Sequence, residues 1–458
     1  MALDDLMRCL RKGVLLGFVT VTLAVVAVGL TIEPDAFADT DRSVSAGEAG
    51  NKPSEENARA MFDEYSAWST PIWCALLTHE LPIVRVHASL VVEANQASSA
   101  AFGCEGPAIE WNPVAVRSKA LRDGWNDPVV LSPIYFVDCH NPRRPTDCDR
   151  AKVHAQLMAV DPGNAMFQMI PVDDDAHPDQ EVRPFTDAEK ARLARAAEGT
   201  HYREYVYAGI FDTYQALEHA QEQLGAFTPS DDWFALMDAA QVAGDDVGQS
   251  MSTVTLFAAL VAMAVPASGN LLSGCRASQA NGDQNTVDDC LRVADLMTDT
   301  SRTDLTAGLG RGIKRTLENP EYVGADREEQ DPNAWKRWMR GLVSSCQMPR
   351  GLPGDFLRLP APMPMSHLSQ YVEDLQKQDE WTARRNATAR EYATHPEAFA
   401  FDPARCDELY ALDESVQRAL AAEHKAASST WRTVEDDEQV LQSAGKALEA
   451  STRQPSSE

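Results

Sequence analysis

The chain contains no His-Glu-x-x-His zinc-protease pattern, no Gly-x-Ser-x-Gly nucleophile elbow and no dinucleotide-binding fingerprint. Those absences remove three chemistries that are written into consecutive residues. They leave open triads and carboxylate pairs drawn from distant positions, which give no local trace. Positive charge is scarce too: 41 Lys and Arg stand against 69 Asp and Glu, a net charge of −28. A surface of that sign repels the phosphate backbone and argues against nucleic acid as a partner. Apolar residues are not in short supply. At 44% hydrophobic over 458 residues, the chain can bury a real core and has length for two or three domains.

Long uncharged apolar runs are few, and one of them opens the chain. Arg8, Arg11 and Lys12 precede the run from Gly13 to Leu30, and Pro34 leads into Ala36-Phe37-Ala38. A basic segment, an apolar segment and a small-x-small site predict a Sec-type signal peptide over 1–38, cleaved after Ala38. A start at Met7 would remove Asp4 and Asp5 and leave a cleaner basic segment. The alternative is an uncleaved anchor, since 18 apolar residues sit at the short edge of a membrane span. Cleavage would place the protein in the periplasm or outside the cell, with no stable membrane span left.

Removal of that segment takes Cys9 and leaves Cys74, Cys104, Cys139, Cys148, Cys275, Cys290, Cys346 and Cys406. An even set in an oxidising compartment predicts four bridges. Short loops cost least entropy to close, which favours Cys139 with Cys148 and Cys275 with Cys290. Cys74 with Cys104 and Cys346 with Cys406 follow by elimination.

Residues 39–55 are Asp, Ser, Gly, Glu and Asn with almost nothing apolar, and read as a flexible tether. Helix signals dominate after it. Thr186-Asp187-Ala188-Glu189 is a capping box, and Thr228-Pro229 and Asp331-Pro332 each set Pro at a first helical position. Val287, Cys290, Leu291, Ala294 and Met297 share one helix face, as do Trp335, Met339, Leu342, Val343 and Cys346. The segment Ile83 to Leu90 is ambiguous: Val84, Val86, Ala88 and Leu90 alternate with Arg85, His87 and Ser89, as in a half-buried strand. Five prolines from Pro349 to Pro364 make 348–366 a loop. The expected organisation is an N-terminal helical subdomain over 56–243, a C-terminal one over 244–424 with a weak boundary near Gly244, and a polar tail over 425–458 forming a fraying surface helix.

Within Ala151 to Ile170 a helix is expected to end at Val160, and Asp161-Pro162-Gly163-Asn164-Ala165 to open the next. Pro162 stops the first helix and Asn164 can cap the second. This junction resembles the helix-to-helix turns of tetratricopeptide-like repeats. The resemblance covers about twenty residues and lacks the family's Trp and Gly-Tyr positions and its 34-residue period. It implies stacked antiparallel helix pairs and partner binding through a concave face.

Asp138-Cys139-His140, Asp147-Cys148-Asp149 and His154 group zinc-type ligands, but the spacing fits no standard zinc module and a disulfide competes for both sulfurs. Met363, Met365 and His367 are soft ligands suited to Cu(I), although Met in such a loop also serves as core filler. Leu271-Leu272-Ser273-Gly274-Cys275 imitates a lipoprotein box but lies mid-chain behind the apolar run Val254 to Val265, so it reads as a core helix. Gly308-Leu309-Gly310-Arg311-Gly312 follows no strand, lacks the Gly-Lys-Ser/Thr ending of a phosphate loop, and reads as a helix-packing or loop glycine cluster. Ser443-Ala444-Gly445-Lys446 has the Ser-x-x-Lys form without its partner motifs. Trp335-Lys336-Arg337-Trp338-Met339-Arg340 is basic and aromatic, as in a helix that lies on an anionic membrane or grips an acidic partner, but Trp335 and Met339 fall on the core stripe, which leaves Lys336, Arg337 and Arg340 as a solvated face.

The reading is a mainly α, disulfide-stapled array of antiparallel helix pairs. It is expected to be an exported scaffold that engages a protein or cell-envelope partner without catalysis, and it carries no assigned catalytic residue, metal or cofactor. The alternatives are an exported cell-envelope hydrolase with a dispersed site, and copper handling by the Met/His loop.

Overall fold

The computed structural model describes residues 55–96, 104, 112–139, 148–170, 183–225, 227–228, 230, 252–253, 255–256, 260, 268–318, 334–346, 368–396, 399, 401–429 and 434–453. The signal segment, the tether, the boundary near Gly244, the helix starts at Thr228-Pro229 and Asp331-Pro332, and the loop 348–366 lie outside these residues in whole or in part. The chain divides into two compact units, Met1–Asn281 and Gly282–Glu458. Among the described residues the structure is helical, without a named strand; Asn164 and His201 form an isolated parallel bridge.

The first unit holds α1 (Glu55–Leu76), α2 (Pro82–Gln96), α3 (Pro113–Asp123), α4 (Pro128–Ile134), α5 (Arg150–Val160), α6 (Ala165–Met169), α7 (Asp187–Ala197), α8 (Ile210–Leu224) and α9 (Ser268–Ala280). A π-helical turn, Tyr135–Cys139, continues α4. Local chemistry sets several starts. Asn112 and Asp127 each cap a helix whose first residue is proline, and Asp149 accepts from the Lys152 N–H. The capping box at α7 is complete: Thr186 accepts from the Glu189 N–H, and Glu189 accepts from the Thr186 N–H at 2.7 Å. Arg183 grips the same carboxylate through two 2.7 Å bonds, and this guanidinium holds Glu189 down at about 2.

Helix α2 is the centre of this unit, packing against α1, α3, α4 and α8. Its strand-like alternation has a different origin from the one expected. The apolar residues Val84, Val86, Ala88 and Leu90 are buried, but so are Arg85, His87 and Ser89. A helix enclosed on all sides needs no apolar stripe, provided its polar groups find partners. Arg85 pairs with Asp123, His87 Nδ1 lies 2.8 Å from Thr213 Oγ1, and Ser89 donates to the Val86 carbonyl. Gly209 precedes α8 with φ +75°, and a Cβ there would meet Ile83 Cγ1 at 2.5 Å. Both facts demand glycine.

The second unit comprises α10 (Gln284–Thr300), α11 (Asp304–Glu318), α12 (Ala334–Cys346), α13 (Leu368–Lys377), α14 (Glu380–Thr394), a 3₁₀ segment Pro403–Ala411, α15 (Glu414–Ser429) and α16 (Val434–Arg453). Consecutive helices pack together, α10 with α11, α13 with α14 and α15 with α16. Across both units helix lengths run from 5 to 22 residues, so no constant unit length emerges among the described residues. The expected stripes face inward: Val287, Cys290, Ala294 and Met297 on α10, and Met339, Leu342, Val343 and Cys346 on α12, are buried, while Leu291 and Trp335 are partly buried. Lys336 and Arg340 lie on the exposed side of α12.

Gly310 explains the glycine cluster. A Cβ there would sit 2.6 Å from the Ala294 carbonyl oxygen and 2.7 Å from Thr298 Oγ1, so α11 can approach α10 only without a side chain. Part of the segment read as a polar tail over 425–458 is a packed helix. Val440, Leu441, Ala444 and Leu448 of α16 are buried in one cluster with Met339, Leu342, Val343, Cys406, Leu409 and Leu420. Four small or aliphatic side chains on one face suffice to seat a helix, however polar the rest of it is. Ser443 and Lys446 belong to this packed helix.

Candidate functional site

A dense polar constellation is built on the Asp161 junction. Helix α5 ends where Asp161 departs from helical geometry, and the turn Pro162-Gly163 delivers Asn164, which caps α6 by accepting from the Met166 N–H. The segment between α7 and α8 folds onto this turn. Asn164 exchanges hydrogen bonds with Arg203, accepting its N–H at 3.1 Å and donating to its carbonyl at 2.9 Å. Asp161 is the hub: it accepts from Asn164 Nδ2 at 3.0 Å and from the Tyr205 hydroxyl at 2.8 Å, and His201 Nε2 lies 3.0 Å from its other oxygen.

Tyr205 has φ +59°, the left-handed region that non-glycine side chains rarely adopt. Its bond to Asp161 and its ring stacked on Phe167 at 6.1 Å hold it there. Burial, with the Asp161 carboxylate second, pushes its hydroxyl far above the usual phenol range. Beside it lies a small cleft lined by Ser132, Phe136, Met166, Tyr205 and Leu260 among others.

Thr200 Oγ1 lies 3.0 Å from His201 Nδ1 and Thr200 is exposed, so hydroxyl, imidazole and carboxylate stand in series. A nucleophilic relay uses that order. Acyl transfer also requires N–H donors aimed at the developing oxyanion. Here the N–H groups of Thr200 and His201 both donate to the Gly163 carbonyl, at 2.9 and 3.3 Å, and the Ala165 N–H donates to the His201 carbonyl at 2.8 Å. The amides nearest the hydroxyl are therefore already engaged.

Of two further clusters, the first is buried and the second partly buried. Arg117, fully enclosed, binds Asp138 through two bonds of 2.7 and 2.8 Å and meets Glu93 at 2.9 Å. In the second unit Arg384 sits between Asp304 (2.6 Å) and Glu380 (3.1 Å), and Glu380 also accepts the Asp304 N–H at 2.9 Å. Burial, with the other carboxylate contributing at Glu380, raises both acids above their ordinary range.

The expected residues fall as follows. Disulfides join Cys74 to Cys104, Cys139 to Cys148 and Cys346 to Cys406, with Cα separations of 5.6, 5.2 and 5.9 Å. Cys275 and Cys290 are disulfide-bonded as well. The described members of the zinc-type grouping are engaged elsewhere: the two sulfurs are bonded to each other, Asp138 faces Arg117, and His154 Nε2 contacts the Phe167 carbonyl at 2.8 Å. His140 and Asp147, like Met363, Met365 and His367, lie outside the described residues. Among the described residues no group of three His, Cys, Asp or Glu could hold a metal ion, and no helix is long and apolar enough to cross a membrane. Gly308, Gly310 and Gly312 lie inside α11, and Leu271 to Cys275 inside α9 with Leu271 and Cys275 buried. The Asp161 hub was missed because its partners stand about forty residues downstream; only the Asp161-Pro162-Gly163-Asn164 turn was legible. No known protein family, no curated protein and no solved structure matches the chain.

Proposed function

We propose that the protein is an exported, periplasmic or secreted helical scaffold that binds a protein or cell-envelope component and performs no catalysis. One observation carries this reading: the clustered charges are taken up in fastening helices. Asp161 ties the α5–α6 turn to the segment before α8, Asp138 ties the end of α4 to α3 through Arg117, and Glu380 ties the start of α14 to the start of α11. The basic, apolar and Ala36-Phe37-Ala38 segments support export, and disulfides suit an oxidising compartment. The twenty-residue likeness to tetratricopeptide-like junctions supports partner binding. Crosslinking in intact cells, followed by pull-down of the mature protein from envelope extract, tests the reading. A partner held in stoichiometric amount is expected, with Asp39 as the first residue of the mature chain.

A second reading, an exported hydrolase of the cell envelope, is favoured by the Thr200, His201 and Asp161 series beside the cleft. Turnover on peptidoglycan, peptide or ester substrates that is abolished by His201→Asn would establish it and overturn the scaffold.

A further inference from the structure

We propose that the Cys139–Cys148 bridge is a thiol–disulfide exchange site, opened and closed by a dithiol partner while the other bridges stay shut. Exchange requires an attacking thiolate to reach one sulfur, and the other sulfur to depart as a thiolate. Cys346 (1% exposed) and Cys406 (0%) lie in the core of the second unit, and Cys275 and Cys290 are both at 0%. Cys74 is 7% exposed while Cys104 is partly open, so attack on Cys104 would expel a thiolate into buried surroundings that disfavour its charge. Cys139 and Cys148 are both partly open to solvent. Either sulfur can be attacked, and either can leave into water.

The position of the bridge determines what opening does. Cys139 closes the π-helical turn that also carries Tyr135, Phe136 and Asp138, and Cys148 stands just before Asp149, the cap of α5. The bridge thus fastens the start of α5 to the end of α4. Once it opens, Asp138 remains held by Arg117, so the turn stays seated on α3. Other ties at the start of α5 are a 3.5 Å bond from Arg150 to the Tyr135 hydroxyl, the Tyr135–His154 ring contact at 6.0 Å, the 2.8 Å contact of His154 with the Phe167 carbonyl, and Lys152 over the Trp125 ring. The bridge spans 9 positions, against 30 and 60 for Cys74–Cys104 and Cys346–Cys406, so its loss returns less loop entropy to the unfolded chain than theirs would. The cycle balances. A partner thiolate forms a mixed disulfide with one sulfur, the other leaves as thiolate and takes up a proton, and the second partner thiol resolves the mixed disulfide. The bridge gains two electrons and two protons, and the dithiol becomes a disulfide.

The test uses the oxidised, full-length protein under native conditions with graded dithiothreitol, alkylation of released thiols and peptide mapping. Cys139 and Cys148 should be alkylated about tenfold or more faster than any other pair, with helical circular dichroism unchanged. Amide exchange should rise at 150–153 and stay flat along α2. Release of all cysteines together, or of another pair first, overturns the proposal, as does loss of helicity in step with Cys139 release. A Cys139→Ser/Cys148→Ser variant should lose the fast phase and show the same raised exchange at the start of α5; a fast phase that persists in it assigns exchange to a different bridge.

Discussion

Arg117→Met isolates the energetics of the first unit. The guanidinium is 0% exposed, gives two bonds to Asp138, itself 4% exposed, and reaches Glu93 and Ser89. Met preserves most of the volume and removes the charge. The buried Asp138 carboxylate then loses both guanidinium bonds, and breaking a buried pair in this way costs about 3–5 kcal/mol. Glu93 adds little, because its side chain is 29% exposed and water can solvate it. At about 2–4 °C per kcal/mol for a unit of this size, the melting temperature should fall by about 6–20 °C. Arg117→Lys should rescue poorly, since an ammonium cannot reproduce the two-pronged contact. Arg117→Met/Asp138→Leu removes both charges and should regain most of the loss, ending within about 1–2 kcal/mol of the parent. Thermal unfolding of the oxidised protein, followed by circular dichroism, reads all four. A fall under about 2 °C for the single variant, or a double variant less stable than the single one, would refute the reasoning.

Gly310→Ala should destabilise by about 1–3 kcal/mol, because the new methyl meets the Ala294 carbonyl. Gly312→Ala, with nothing within 4 Å, should stabilise by about 0.5–1 kcal/mol; urea midpoints that rank the two the other way would remove the packing account of this cluster. Thr186→Ala should cost about 1 kcal/mol by opening the capping box, read in the same assay. Burial pushes His87 down to about 3, so its contribution is complete above its ordinary 6.5 and is lost as pH falls from there toward 3, at about 1.4 kcal/mol per pH unit. Asp304 and Glu380 act in the opposite sense. Burial raises both above their ordinary 3.8 and 4.5, so the fold binds more protons than the unfolded chain and loses stability as pH rises through that range. Relative to the parent, His87→Gln should remove acid sensitivity and Glu380→Gln should remove part of the alkaline loss; stability measured across about pH 4–7 tests both signs.

Whatever depends on neighbours within one or two helical turns was legible in the residues. The capping box at Thr186, the cap at Asn164 and the inward stripes of α10 and α12 are local, because a helix brings i, i+3 and i+4 together wherever it lies. The mainly helical class follows from such signals. The disulfides are a different case. Short loops are cheap to close, which singled out Cys139 with Cys148, whereas the partners of Cys74 and Cys346 followed only by elimination. Tertiary structure decided the rest. Ile83 to Leu90 alternates like a strand because α2 is enclosed on every side, and the burial of Arg85 and His87 depends on Asp123 and Thr213, distant in sequence. The tail seemed polar because a few aliphatic positions are diluted by Glu, Gln and Ala; their burial required a cluster of residues about twenty to a hundred positions upstream. The Asp161 hub and the Arg117 and Arg384 clusters exist only once separate helices meet. A carboxylate in a sequence carries no mark of the cation or hydroxyl it will face, since that choice is made by packing.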